Sequence, residues 1–459
     1  MCNSRNPAWP LLLALLAPVA ARASNPESTM LSPESSLAGA VVAADDDGGG
    51  GWYNPASLGG LKRSSVQLGI SAYSYAWVNS EGVLTTVLPW ETQSQNTRAS
   101  RYSSVPSVLG LTYMLREGLG LSLGLWTPFH DSFSTGFSTT SRGALPSAPN
   151  LQATLDQRYD WSQSGDDTWA TAAVGWQVHP KVRLGLSLQG ALLTRSEAVA
   201  LTTTLTTDSM LGSERGAHIQ VSVNEAVNRL SLRAVLGVQW LVSKYLRLAL
   251  ALRSPQLQVA RWGQHVQTVL VSALLPGFAP QEGSYIDTKP PGGTFLMVEQ
   301  VRGLVGAVVD LGGLSLRADG EWSPELPSEL LRPSVKVRLG ALYAWNADLT
   351  VGLGVSYDAA RTRARDGAIS LDRYGLSGGM TYRADKVVKA LGGGLWDLLG
   401  TIAVTGIYGT GFAPGMTVVP LEFSKSVVPV FPGVSDQPFQ EVPTWSLDLS
   451  VHFMTTVKF

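Results

Sequence analysis

Cysteine is all but missing from the 459-residue chain, and the one present is Cys2. It stands inside a stretch that reads as a secretory leader. The mature protein therefore has no thiol, which excludes a disulfide scaffold and a thiolate metal site. A lipoprotein cysteine would follow the leader's apolar run, whereas Cys2 precedes it. Charge is scarce as well, at 15% of residues with a net of −1, so nothing electrostatic favours nucleic acid. No later run of eighteen or so uncharged apolar residues occurs, so helical membrane spans are absent. The five histidines, His130, His179, His218, His265 and His452, show no zinc spacing. Mean hydropathy is +0.10. A soluble secreted protein and a β-barrel that crosses a membrane with strands are the two classes left.

Glycine is abundant, at 48 residues, with 14 Trp and 13 Tyr. Residues 1–23 carry the leader pattern: Arg5, the apolar stretch Leu11 to Val19, and the small-x-small site Ala21-Arg22-Ala23. Its removal takes two of the 34 basic residues and none of the 35 acidic ones, leaving a formal charge of −3. Residues 24–62 are not strand-like. They hold a small-residue run from Ala38 to Ala44, Asp45-Asp46-Asp47, the glycines Gly48 to Gly51, and Trp52-Tyr53-Asn54-Pro55-Ala56-Ser57-Leu58. Their apolar content favours a packed segment over a disordered leader.

From residue 63 onward the chain alternates. In Thr444 to Phe459 the odd positions are Trp445, Leu447, Leu449, Val451, Phe453, Thr455, Val457 and Phe459, while the even ones are polar except Met454. Successive strand side chains face opposite ways, so this strand has one oily and one wet face, and it is long enough to cross a bilayer. Tight turns at Arg116-Glu117-Gly118, His179-Pro180-Lys181, Ser243-Lys244-Tyr245, Asp310 to Gly313 and Asn346-Ala347-Asp348 join further alternating pairs into hairpins. The total is about fourteen strands. Short turns share one rim, with 384–398 as a longer turn carrying a helical element. The other rim carries long connections at 78–104, 128–167, 207–214, 254–299, 323–333, 358–371 and 409–443. An even strand count with short turns on one rim and long loops on the other predicts an all-β, antiparallel transmembrane barrel.

The wet faces carry Arg183, Gln189, Arg233, Gln239, Arg247, Arg317, Asp319, Glu321, Lys336, Arg338, Asp448 and His452. An outward Arg or Lys at the midplane would cost about 2–4 kcal/mol, so these side chains are predicted to face a lumen. A soluble sandwich alternates too, but needs no outer face this apolar over so many strands.

Ser36 to Asp45, followed by Asn54-Pro55-Ala56-Ser57-Leu58, resembles the N-terminal pattern of the long-chain fatty acid and aromatic hydrocarbon transporters of Gram-negative outer membranes, the FadL/TodX-like family. Val105-Pro106-Ser107 with Tyr113, and Gly124 to Phe129, are similar to that family's second and third strands. The Gly48 to Gly51 run departs from the family pattern. The resemblance implies that 24–62 is a plug, with Asn54, Pro55, Ala56 and Leu58 as its anchor, lodged in a barrel of 63–459. It implies a monomer in the outer membrane, both termini periplasmic, beside lipopolysaccharide, with Phe459 engaging the barrel-assembly machinery. It also implies uptake of a hydrophobic small molecule, caught at the outer loops and released sideways through a gap in the wall. The apolar stretch Val269 to Phe278 (Leu270, Leu274, Leu275, Phe278) is the candidate capture site, or else extends a neighbouring strand. A general porin and a structural or adhesive barrel are the alternative readings.

Other chemistry is weaker. Gly120-Leu121-Ser122-Leu123-Gly124 matches G-x-S-x-G but sits inside an alternating strand with no helix behind it, so it lacks the elbow that a nucleophile needs. His452 shares a strand face with Asp448, as a lumen-filling polar network would. An EF-hand starting at Asp45 needs a glutamate where Ala56 stands. Neither a metal nor another cofactor is expected, and the chain is not read as an enzyme. The lumen cations would either meet a ligand carboxylate or pair with Asp319, Glu321 and Asp448.

Overall fold

The computed structural model describes residues 39–44, 49–87, 91–145, 148–207, 215–273, 281–289, 297–326, 331–363, 369–384, 396–418 and 440–459. The leader, Asp45 to Gly48, Leu274, Leu275, Phe278 and most of the 384–398 turn lie outside the described residues.

Seventeen strand segments form one sheet: β1 (Ser65–Val87), β2 (Thr92–Arg116), β3 (Leu119–Leu145), β4 (Ala148–His179), β5 (Val182–Thr207), β6 (Arg215–Leu241), β7 (Leu246–Arg253), β8 (Gln256–Ala273), β9 (Gln281–Lys289), β10 (Met297–Glu299), β11 (Arg302–Leu311), β12 (Leu314–Ser323), β13 (Ser334–Ala344), β14 (Leu349–Asp358), β15 (Ser370–Arg383), β16 (Asp397–Val418) and β17 (Gln440–Lys458). β1 pairs with β17 from Ser65 opposite Lys458 to Ser80 opposite Thr444, which closes the sheet into a 14-strand antiparallel barrel. The count drops from seventeen because broken strands share a place in the ring. β6 pairs with β7 along Val235–Leu241 and with β8 along Ala217–Leu232. The break falls at Pro255, which has no N–H to give the ladder. Ser254 repairs part of it, its Oγ accepting from the Ala234 amide at 2.9 Å.

Alternation sets the facing throughout. On β3, Leu123 is 57% exposed whereas Ser122 and Trp126 are buried. On β17, Trp445, Leu449 and Phe453 point out, and Thr444, Ser446, His452, Met454 and Thr456 are buried inside. Aromatics bound the outer apolar band: Tyr374 and Tyr382 of β15 are both exposed, eight residues apart. That is about 27 Å along a strand, or roughly 20 Å along the normal after tilt, close to the band a bilayer requires. The outward face meets lipid, and the fold is a transmembrane barrel.

The short rim agrees with the tight turns read from the sequence. The long rim differs. β3 and β4 stay paired from Trp126 opposite Trp169 up to Ala144 opposite Gln152, where a long loop is predicted. The predicted 207–214 connection, by contrast, agrees, since β5 pairs with β6 from Val182 to Thr207 and β6 begins at Arg215. Residues 78–87, 128–145, 148–167 and 256–273 are thus largely strand. Above the membrane both faces are polar enough to hide the alternation, but the backbone groups still need partners, and the neighbouring strand supplies them. Val269 to Ala273 belongs to β8, with Leu270 opposite Gln220 and Ser284.

Candidate functional site

Inside the barrel, residues 39–44 and 49–61 lie against the inner wall, where Ala40 to Ala44 are all buried. A short helix, α1 (Gly50–Tyr53), leads through Asn54 into a 3-10 turn over Pro55–Gly60. The local sequence explains the turn. Asn54 is its cap, with Oδ1 accepting from the Ala56 amide at 3.1 Å, and Pro55 sits at the first position, where a missing N–H is harmless. Asn54 Nδ2 donates to Val42 O at 2.9 Å and to Val238 O of β6 at 3.4 Å. One amide therefore holds the turn, the 39–44 segment and the wall together. Asn54, Pro55, Ala56 and Leu58, the expected anchor, are all buried there.

Polar wall side chains grip the backbone of this inner segment. Asp319 accepts from the amides of Val41 and Val42, the latter at 3.0 Å. Gln239 Nε2 donates to Ala43 O at 3.0 Å, and Gln189 Nε2 to Gly51 O and Trp52 O at 3.3 Å. Trp52 is the hub. Its ring lies 5.2 Å from Trp169, edge-on, and 6.3 Å from Trp126. The Arg233 guanidinium sits 4.0 Å from the Trp169 ring and 4.7 Å from that of Trp52, and its Nε donates to Gln189 Oε1 at 2.6 Å.

Beneath that hub is a feature that the sequence reading missed. Gly120 of β3 stands opposite Gly175 of β4, Gly175 opposite Gly185 of β5, and Gly185 opposite Gly237 of β6. The 3-10 turn rests on this row. A Cβ at Gly120 would overlap Leu58 O, at Gly175 Pro55 O, at Gly185 the Ala56 amide, and at Gly237 Asn54 Oδ1. These glycines lie dozens of residues apart in the chain, so only the ladder register brings them together.

The expected lumen residues all lie on inward positions. Arg183 donates to Gln239 Oε1 at 2.8 Å. Arg317 reaches Ser315 Oγ at 3.5 Å, Arg338 is buried, Asp448 is half-buried, and His452 Nε2 is 2.9 Å from Ser450 Oγ. Of the acids expected to pair with cations, Glu321 does so. Asp319 holds inner-segment backbone. Glu321 meets Arg302 at 3.4 Å and Arg361 at 3.3 Å, and Arg302 meets Glu299 at 2.8 Å. Arg302 and Arg361 were not among the predicted lumen residues, because Arg302 only begins β11 and Arg361 lies past the end of β14, where alternation gives no signal. Ser122 is a buried residue within β3, near its short-rim end.

The wall changes between β2 and β3. Pairs run from Leu119 to Trp126 opposite Val108, then resume only at Ser134 opposite Ser100. Among the described residues no backbone pair joins 101–107 to 127–133. Pro106 and Pro128 both lie in this interval and neither has an N–H to donate. On its other side β3 shifts register against β4 between Trp126 and Phe129, so the strand leaves its β2 neighbour while keeping its β4 neighbour. Farther from the short rim, Phe137 stacks on Tyr159 at 5.3 Å. The register continues that row through Leu201, Val221, Val269 and Tyr285.

No protein-family model matches the chain, and no curated protein matches it. Solved structures do. A FadL homologue from Pseudomonas aeruginosa superposes with a TM-score of 0.58 at 12% identity, over 93% of this chain and 98% of that one. The toluene transporter TodX of P. putida gives 0.58 at 12% identity, over 94% and 99%. A TodX mutant described as a monoaromatic hydrocarbon channel gives 0.51 at 10% identity, over 95% and 99%. At such identities the likeness is one of fold, and the fold of this chain is FadL-like.

Proposed function

We propose that the chain is an outer-membrane channel for the uptake of hydrophobic small molecules, with both termini periplasmic and 24–62 as its plug. The observation that carries the reading is the interruption in the wall between 101–107 and 127–133. A greasy molecule crosses a polar lipopolysaccharide layer poorly, and release into water would forfeit the free energy of hiding its surface. A barrel that opens sideways into the bilayer, beyond the buried cluster of Trp52, Trp126 and Trp169, avoids that release. The row continuing from Phe137 and Tyr159, in register with Val269, is the proposed point of capture, with Leu270 and the following Leu274, Leu275 and Phe278 as candidates. The strand ending at Phe459 is the proposed signal for barrel assembly, and the barrel works as a monomer without catalysis.

The test is to restore the missing donors. Pro106→Val with Pro128→Val gives β2 and β3 back two N–H groups, and uptake of radiolabelled toluene or oleate by cells expressing the variant is expected to fall at least several-fold. Unchanged uptake by a correctly inserted variant would remove the lateral route. A porin or adhesive barrel is separated by deleting 24–62: a plugged channel becomes leaky to arabinose, whereas a porin changes little.

A further inference from the structure

Glycine in a strand interior is unfavourable by roughly 0.5–1 kcal/mol relative to alanine, yet four stand abreast in β3–β6. The next row toward the long rim is Ser122, Ala173, Ser187 and Val235, each with a Cβ. The gap in side chains is therefore confined to one row, and that row is filled by the turn from Pro55 to Gly60. Leu58, at the centre of the turn, is fully buried. The turn is tied to α1, because the Asn54 amide donates to Gly50 O at 3.1 Å and the Ser57 amide to Asn54 O at 3.1 Å.

We infer that Gly120, Gly175, Gly185 and Gly237 are positioning residues that seat residues 50–60 as a permanent floor, which stays docked while each cargo molecule passes. The inference rests on the transport reading above and adds where the path cannot go. Gly120 lies beside the short-rim turn at Gly118, and the wall interruption begins only beyond Trp126. Cargo entering from the long rim reaches the interruption before the floor, so the floor need not lift. Because the seat is steric and contacts backbone atoms of the turn, a single added methyl is enough to dislodge it.

A cross-link decides between a fixed and a lifting floor. A Cβ at Gly51 would stand 3.3 Å from that of Ala173, near the 3.5–4.5 Å that a disulfide needs. Cys2 is the only native cysteine and falls in the 1–23 leader, so mature protein carrying Gly51→Cys with Ala173→Cys has one internal partner choice. The mature protein in proteoliposomes is assayed with radiolabelled toluene and oleate, oxidised and reduced. Equal uptake in the two states, within twofold, is expected. A tenfold loss on oxidation that dithiothreitol reverses would overturn the fixed floor. Gly185→Ala provides a second reading that needs no cargo. It is expected to raise arabinose entry at least tenfold in liposome swelling, and wild-type tightness would overturn the steric seat. If the wild-type protein takes up neither probe, the transport reading fails, while the arabinose result still judges the seat.

Discussion

Replacing Asn54 tests how the inner segment is held. The side chain is 1% exposed and makes three hydrogen bonds. Asn54→Ala strands the Ala56 amide and the Val42 carbonyl in a site closed to water. A buried group left without its partner costs about 1–3 kcal/mol. The third bond, at 3.4 Å to Val238 O, is long and adds little. Two such groups make about 2–6 kcal/mol, which at tenfold per 1.4 kcal/mol raises the unseated population by roughly 30-fold at the least and about 20,000-fold at the most. The barrel wall makes none of these bonds except the weak one, so its own stability is expected to stay unchanged. The assay is amide hydrogen exchange by mass spectrometry in micelles. Protection of residues 54–58 falls by that factor, while β12 serves as the internal reference. Asn54→Ser offers one hydroxyl in place of a separate amide acceptor and donor, so it falls between the two. Wild-type protection in the alanine variant would refute the claim that this amide holds the segment.

Leu353 is 66% exposed on the outward face of β14, so Leu353→Arg is expected to cost about 2–4 kcal/mol of bilayer insertion. Urea titration in lipid vesicles reads it, and a cost near zero would place that face outside the hydrocarbon. The outer part of β5 gives a pH effect. Burial raises the pKa of Glu197, opposed by its ion pair with Arg195 and the Trp161 Nε1 bond, and aided by Glu225 opposite it. A raised carboxylate favours the folded sheet while it is protonated. The contribution is whole below the ordinary carboxylate pKa and is lost as pH rises through the raised value. Exchange protection of β5 near Glu197 is expected to be higher in mild acid than at neutral pH, and Glu197→Gln is expected to flatten the difference. An equal slope in both proteins would assign the effect elsewhere.

Period-two alternation alone determined the barrel, its facing and its short rim, because lipid outside and polar lumen inside act on every residue of a spanning strand. It carried Arg183, Asp319 and His452 to the correct side for the same reason. Above the membrane that contrast fades, so the part of β3 that reaches Leu145 was legible only as a loop. Asn54 to Leu58 stood out only through resemblance, and nothing local shows what they rest on. That was left to the tertiary structure: a ladder register decides which glycines become neighbours, which carboxylate meets the Val41 and Val42 amides, and where two prolines leave β2 and β3 unpaired. Pairing between distant strands is set by the closure of the whole sheet, and no window of sequence contains it.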